Sequence, residues 1–333
     1  MKTKLKKHKI LITIIIICVV IAGYFGTDWL FKQTYYNPFL IDDIVDNSDE
    51  SVTQYGFDVL MATYINMYFP GKLYYPIECS DEGFGRYQIK AKVQEIFDPL
   101  YGDNVDNITF TIKRSKLTVD SEQILLSRVV YEYLDINETD LDEYTASLYE
   151  QWTTRDYSDI QDLPESAYLD VSLTFSKYKN AQEVVDFINS YDNSSFVWLA
   201  LDTETGDQTA AGVSIYDAVR HELKNSFKKE YPSFYLDEEY TADMLQENVL
   251  SRLKVLIDHS DFIDLIKQSD LYYDTMAANK GIKQRYQDIK ENGLQVIGIR
   301  GYVKKSDLLN MINSGEIYYG YVNDVKMSRL QRK

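Results

Sequence analysis

Asp202, Thr203 and Glu204 follow directly on the apolar run 196–201. Alternate residues of a strand point to one face, so Asp202 and Glu204 can converge on a divalent cation. Two carboxylates so placed suit two-metal phosphoryl transfer. His259 and Asp264 stand in a His-x4-Asp spacing that matches a later element of the same chemistry. His221-Glu222 opens like the zinc pattern HExxH, but position 225 is Asn. With three His in the chain, a catalytic zinc site lacks imidazoles. No phosphate-binding Gly-rich loop ending in Lys-Ser/Thr occurs, and no G-x-S-x-G nucleophile turn.

The elements around these residues weaken the catalytic reading. A DEDD-type nuclease needs more chain between its first and last motifs, and its acidic strand comes first. Here a strand and a helix already precede 196–201. The net charge of −17 also repels phosphate backbones, so nucleic acid is not an expected partner. Asp202 and Glu204 read as the solvated rim of a strand, and His221 as a helix-surface residue. No catalytic, cofactor-binding or metal-binding residues are assigned. Cys18 and Cys79 form no metal or disulfide pattern.

Charge is segregated along the chain. Five Lys against Asp28 alone make residues 1–30 net positive, while the remainder is strongly acidic. Residues 10–27, "ILITIIIICVVIAGYFGT", are uncharged and span about 27 Å as a helix, close to the hydrocarbon thickness. Tyr24 and Trp29 suit the aromatic belt at the interface. No signal-peptidase-like site follows. The expectation is a retained single-pass helix, with the basic residues 1–9 in the cytoplasm and everything after the helix outside the cytoplasmic membrane.

Residues 28–50 read as a polar stalk. Within 51–135, "RYQIKAKVQEIF" alternates cleanly, as do Ile108, Phe110 and Ile112, so an antiparallel pair in a β-rich domain is expected. Residues 136–166 read as a connector. The domain at 167–327 begins with the alternating Leu169, Val171, Leu173 and Phe175. A helix follows behind the capping box Asn180–Glu183, then the strand 196–201. The end of the chain repeats the plan. A strand at 296–303 leads to a helix capped by Ser306, then to a strand at 317–322. The two helices end alike, in "FINS" and "MINS". Two βαβ units of one design predict an α+β, ferredoxin-like sheet. A helical insertion separates them, containing a helix capped by Thr241, others near 262–267 and 273–291, and a stop at Gly293.

The 29 Tyr include pairs at 35–36, 74–75, 272–273 and 318–319. Most suit amphipathic packing. Tyr272, Tyr273, Tyr318 and Tyr319 are candidate binding-surface aromatics, which would make the chain a binding module for cell-wall material as an alternative. Sequons at Asn107, Asn137 and Asn193 bear on function only in a glycosylating host.

With the second domain laid out, the chain resembles the membrane-anchored anti-sigma factors of Gram-positive bacteria, which have a sigma factor regulator N-terminal region and C-terminal domain. The likeness is carried by "AYLDVSLTFSKYKNAQEVVDFINSYDNSSFVWLALDTE" (167–204) and "YQDIKENGLQVIGIRGYVKKSDLLNMINSGEIYYGYVNDV" (286–325). Its marked positions are Phe196, Trp198, Gly293, Gly298 and Ser306. The resemblance implies a regulator that restrains an extracytoplasmic-function sigma factor in response to envelope state, by protein–protein contact and without a cofactor. The family's sigma-binding part precedes the membrane helix, where this sequence has only "MKTKLKKHK". Such a stretch cannot bury the surface of a stable complex. The expectation is therefore another membrane regulatory subunit, with sigma factor contacted directly or through it.

Overall fold

A computed structural model describes residues 2–48, 54–95, 106–120, 159–201, 211–217, 220–237, 239–269, 271 and 281–327. It is a mixed α/β structure with one long apolar helix at the N-terminus. That helix, α1 (Lys2–Thr34), takes in the basic residues and runs past the apolar stretch. Its Leu11–Thr34 portion is long and apolar enough to cross a membrane, and none of its most apolar window is buried against the rest of the chain.

The residues after it do not form a free stalk. Asn37 caps a short 3-10 turn, Pro38–Leu40. Ile44 and Val45 are buried in the core, and Val45 bridges Leu223. Helix α2 (Gly56–Tyr68) follows, buried along almost its whole length. The chain then forms an antiparallel meander of β1 (Lys72–Gly83), β2 (Arg86–Glu95), β3 (Asp106–Lys113) and β4 (Lys116–Asp120). The expected pairing is present, with Ile89 opposite Phe110 and Ala91 opposite Ile108. Alternation explains it: Tyr87, Ile89, Ala91 and Val93 are buried, and the Lys residues between them face out. Two strands beyond the predicted pair complete the sheet.

The second sheet contains β5 (Tyr168–Lys179), β6 (Ser195–Leu201), β7 (Gly212–Ser214), β8 (Val296–Lys304) and β9 (Ile317–Lys326). Its order is β7-β6-β8-β5-β9, every neighbour antiparallel. Helix α3 (Ala181–Asn189) joins β5 to β6, and a later helix joins β8 to β9. Each strand–helix–strand unit therefore brackets a strand of the other: β8 lies between β5 and β6, and β5 between β8 and β9. The capping box of α3 is complete, with Asn180 accepting from Glu183 N and Glu183 accepting from Asn180 N.

Between the halves lie α4 (Asn225–Glu230), α5 (Ala242–Asp258), α6 (Ser260–Lys267) and α7 (Ile282–Asn292). Thr241 caps α5 through Met244 N. Gly293 closes α7 at φ 82°, a left-handed value that favours glycine. Helix α8 (Lys305–Asn313) corrects one expectation: its N-cap is Lys304, with no side-chain cap bond, and Ser306 lies within the first turn. Lys305 makes the local connection instead. Its Nζ donates to the carbonyls of Gln161 and Leu163 and pairs with Glu165, fastening the chain just ahead of β5.

One continuous apolar core unites both sheets. Helix α2 is at its centre. Phe57 meets Phe262 at 5.7 Å, and the Tyr64 hydroxyl donates to Leu271 O at 3.0 Å. Asp58 is carried into this core on the first turn of α2, where the Tyr74 hydroxyl donates to it at 3.1 Å. Burial pushes its carboxyl up to about 7, against the hydrogen bond that favours the anion. The folded state therefore takes up a proton between the ordinary 3.8 and about 7. Stability falls as pH rises through that window and levels off above it. Asp58→Asn should remove most of this slope. It should match the parent within about 1 kcal/mol at acidic pH and exceed it by up to about 4 kcal/mol at alkaline pH. Urea unfolding of the full chain in detergent at several pH values checks this.

Candidate functional site

The central strand β8, "VIGIRGYVK", is apolar apart from Arg300 and the terminal Lys304. Ile299 and Val303 face the helices of the insertion and the two βαβ units. Arg300 and Tyr302 face the opposite side, over which the N-terminal unit lies. On neighbouring β5 the same alternation sends Leu169, Val171 and Leu173 to the core and Asp170, Ser172 and Thr174 to the second face. Arg300 and Asp170 thus meet on one face from adjacent strands.

Their contact is bidentate. Arg300 Nε donates to Asp170 Oδ1 at 3.1 Å, and its second terminal nitrogen to Oδ2 at 2.8 Å. Its remaining nitrogen donates to the Pro70 carbonyl at 2.6 Å, which lies between α2 and β1. Asn323 on β9 donates to Asp170 Oδ1 and Ser172 Oγ. Both charged residues are buried, and Glu95 from β2 stands 3.7 Å from the guanidinium. Gly71 lies against the guanidinium at φ 77°; a Cβ there would collide with it.

Trp198 makes the second link. It is 1% exposed, and its indole nitrogen donates to Asn66 O on α2 at 2.9 Å. Leu73, Val197, Ala200 and Ile297 complete a small apolar cluster around it. Gly212 on β7 passes beneath the indole, where a Cβ would strike the ring. Phe196 turns to the other face and packs on Phe187 at 5.6 Å. Gly298 is buried opposite Thr174 and Ala200. The structure brings Phe196, Trp198 and Gly298 together on neighbouring strands. Gly293 and Ser306 are apart from them at helix ends.

The catalytic candidates resolve differently. Asp202 and Glu204 lie outside the described residues, as do Tyr272 and Tyr273. His259 does not turn to Asp264: its Nδ1 meets Val255 O at 2.8 Å, and Asp264 pairs with Lys267. His221 is not on a helix surface. It is buried ahead of α4, with Nδ1 3.3 Å from the Tyr235 hydroxyl, and burial lowers it to about 4. Cys79 is a half-buried strand residue whose thiol burial pushes up to about 12. Among the described residues no group of three or more His, Cys, Asp or Glu could hold a metal. Tyr318 is half-buried on β9, and Tyr319 pairs its backbone with Thr174.

This arrangement fastens two layers. The guanidinium's hydrogen bonds to Asp170 and to Pro70 O tie the second sheet to the N-terminal unit. Residues 160–324 match the family model described as sigma factor regulator C-terminal. This region is a domain of the sigma factor regulator family. No curated protein and no solved structure matches the chain. The sigma factor regulator domain starts where Lys305 fastens the chain, ahead of β5, and ends within β9. Arg300, Asp170 and Trp198 all lie inside it. Its partners in the fastening, Asn66 and Pro70, lie outside it.

Sequence reasoning marked Trp198 but passed over Arg300 and Asp170. The signal was a lone Arg within an apolar strand and an Asp on the polar alternation of another. Removing one partner of a buried pair strands the other charge. Arg300→Ala and Asp170→Ala should each cost about 3–5 kcal/mol. Arg300→Met with Asp170→Leu should cost less than either single change. Urea titration of the full chain, followed by tryptophan fluorescence, measures all three.

Proposed function

We propose that the chain is a membrane-anchored regulator of an extracytoplasmic-function sigma factor, acting by protein–protein contact as an anti-sigma factor or its accessory subunit. The family match carries this reading, and the apolar helix α1 supports the anchor. The five Lys ahead of the apolar run favour a cytoplasmic N-terminus by the positive-inside bias. The two sheets then sit outside the cytoplasmic membrane and report envelope state. A second membrane subunit would make the sigma contact, paired through the membrane or through the outer domains.

The chain carries no assigned catalytic residue on this reading, and its output is a change in transcription. Deleting the gene should change expression of at least one extracytoplasmic-function regulon several-fold, as read by transcript sequencing under envelope stress. Unchanged transcription of every such regulon would remove the proposal. Crosslinking pull-down of the membrane-inserted full chain should recover a second membrane protein with a cytoplasmic sigma-binding region. Recovery of wall polymer alone would instead favour the wall-binding module.

A further inference from the structure

The β1–β2 turn and the β3–β4 turn of the meander lie at the same end of the first sheet, because alternate turns of a meander share an end. Both meet the last turns of α1. Phe84 packs edge-on against Tyr24 with centroids 4.8 Å apart, and its backbone N donates to Asp28 Oδ1 at 2.5 Å. Arg114 lies 4.7 Å over the Phe31 ring, and Ser115 Oγ accepts from Tyr36 N at 2.9 Å. The turns are joined by Arg114 N donating to Gly85 O. Phe84-Gly85 and Arg114-Ser115 all take positive φ, so both tips are tight two-residue hairpin turns.

Tyr24 lies inside the uncharged run 10–27. Phe84 is therefore held at a depth within the interfacial layer of any bilayer that α1 crosses. The charges at this end are sorted. Lys32 pairs with both Asp28 and Asp81, and Arg86 with Glu82, so these five groups leave one negative charge between them. Lys113, Arg114 and Lys116 are exposed and make no ion pair among the described residues. A chain of net charge −17 thus presents a cationic tip where its apolar helix ends.

We propose that this tip is a lipid-binding surface. Lys113, Arg114 and Lys116 take the phosphates of anionic headgroups in the leaflet from which α1 emerges, and Phe84 sits among the glycerol and upper acyl carbons. Basic side chains next to a membrane helix gain from anionic lipid, and an aromatic ring suits the interface. The surface locks the first sheet upright on the membrane and makes its mobility depend on lipid charge. This rests on the anchor reading but not on which way the helix is oriented.

The test is hydrogen exchange on the full chain in nanodiscs of phosphatidylcholine, with or without phosphatidylglycerol. Anionic lipid should slow exchange in peptides covering 82–87 and 112–118 by about fivefold or more. High NaCl should reverse this, as should the triple variant Lys113→Gln, Arg114→Gln, Lys116→Gln. Core amides of β2 should stay unchanged, which reports that the variant is folded; the salt and lipid dependence of the parent chain carries the test if it is not. Equal exchange in both lipids overturns the surface while leaving the anchor standing. Slowing by inorganic phosphate in neutral nanodiscs also overturns it, as a free phosphate site. Failure of the chain to enter either nanodisc overturns the anchor reading and this surface together.

Discussion

A guanidinium cannot sit in the middle of a sheet's covered face without complete hydrogen bonding, since a buried unpaired charge costs several kcal/mol. Arg300 meets that demand with hydrogen bonds to two acceptor groups, and a second carboxylate stands near without bonding. Asp170 comes from β5, the Pro70 carbonyl from the end of α2, and Glu95 approaches from β2. The two carboxylates and the carbonyl can converge only when the N-terminal unit lies across the second sheet in one register. Gly71 lacks the Cβ that would hold the layers apart at Arg300, and Gly212, on the strand beside Trp198, lacks the Cβ that would strike the indole. The charge contributes little net stability against an apolar substitute pair, yet it selects a single way of stacking the layers.

From this junction the architecture extends in one direction. Strand β1 starts at Lys72, next to the Pro70 carbonyl, and ends at Gly83, in the turn that grips α1. Eleven steps of extended chain cover roughly 37 Å. A single strand, backed by three neighbours, thus runs from the sigma factor regulator domain to the end of the apolar helix. Displacement at either end is carried by a paired sheet rather than by a linker. On the proposed reading this gives outer domains a stiff route to the membrane, and the contacts at Asp28 and Phe31 are where motion passes into the helix.

Most elements were legible because local signals agreed with tertiary ones. The strands β2, β3 and β5 alternate, β6 is a continuous apolar run, the box at Asn180 and the cap at Thr241 are intact, and the apolar run of α1 has no charge. The losses have physical reasons. Ser306 has the right residue type for a cap, but Lys304 starts the helix two residues earlier, and Lys305 reaches the carbonyls at 161 and 163. Ile44 and Val45 sit in an acidic stretch that reads as solvated, and they are buried by distant chain, including the bridge from Val45 to Leu223. His221 has no local mark of burial. The Arg300–Asp170 contact spans 130 positions, which no periodicity reports.

The boundary of the family match also follows from packing. The sigma factor regulator domain supplies both βαβ units and the helical insertion, but not the cover of its second face. That cover is α2 and the start of β1, which give Asn66 O to Trp198 and Pro70 O to Arg300. Phe57 and Tyr64 of the same helix also fill the space against Phe262. Severed from α2, the domain would expose the indole of Trp198 and leave the guanidinium of Arg300 one acceptor short. The likeness ends at residue 160, but the folding unit does not, because the residues that make the domain recognisable are held by groups that precede it.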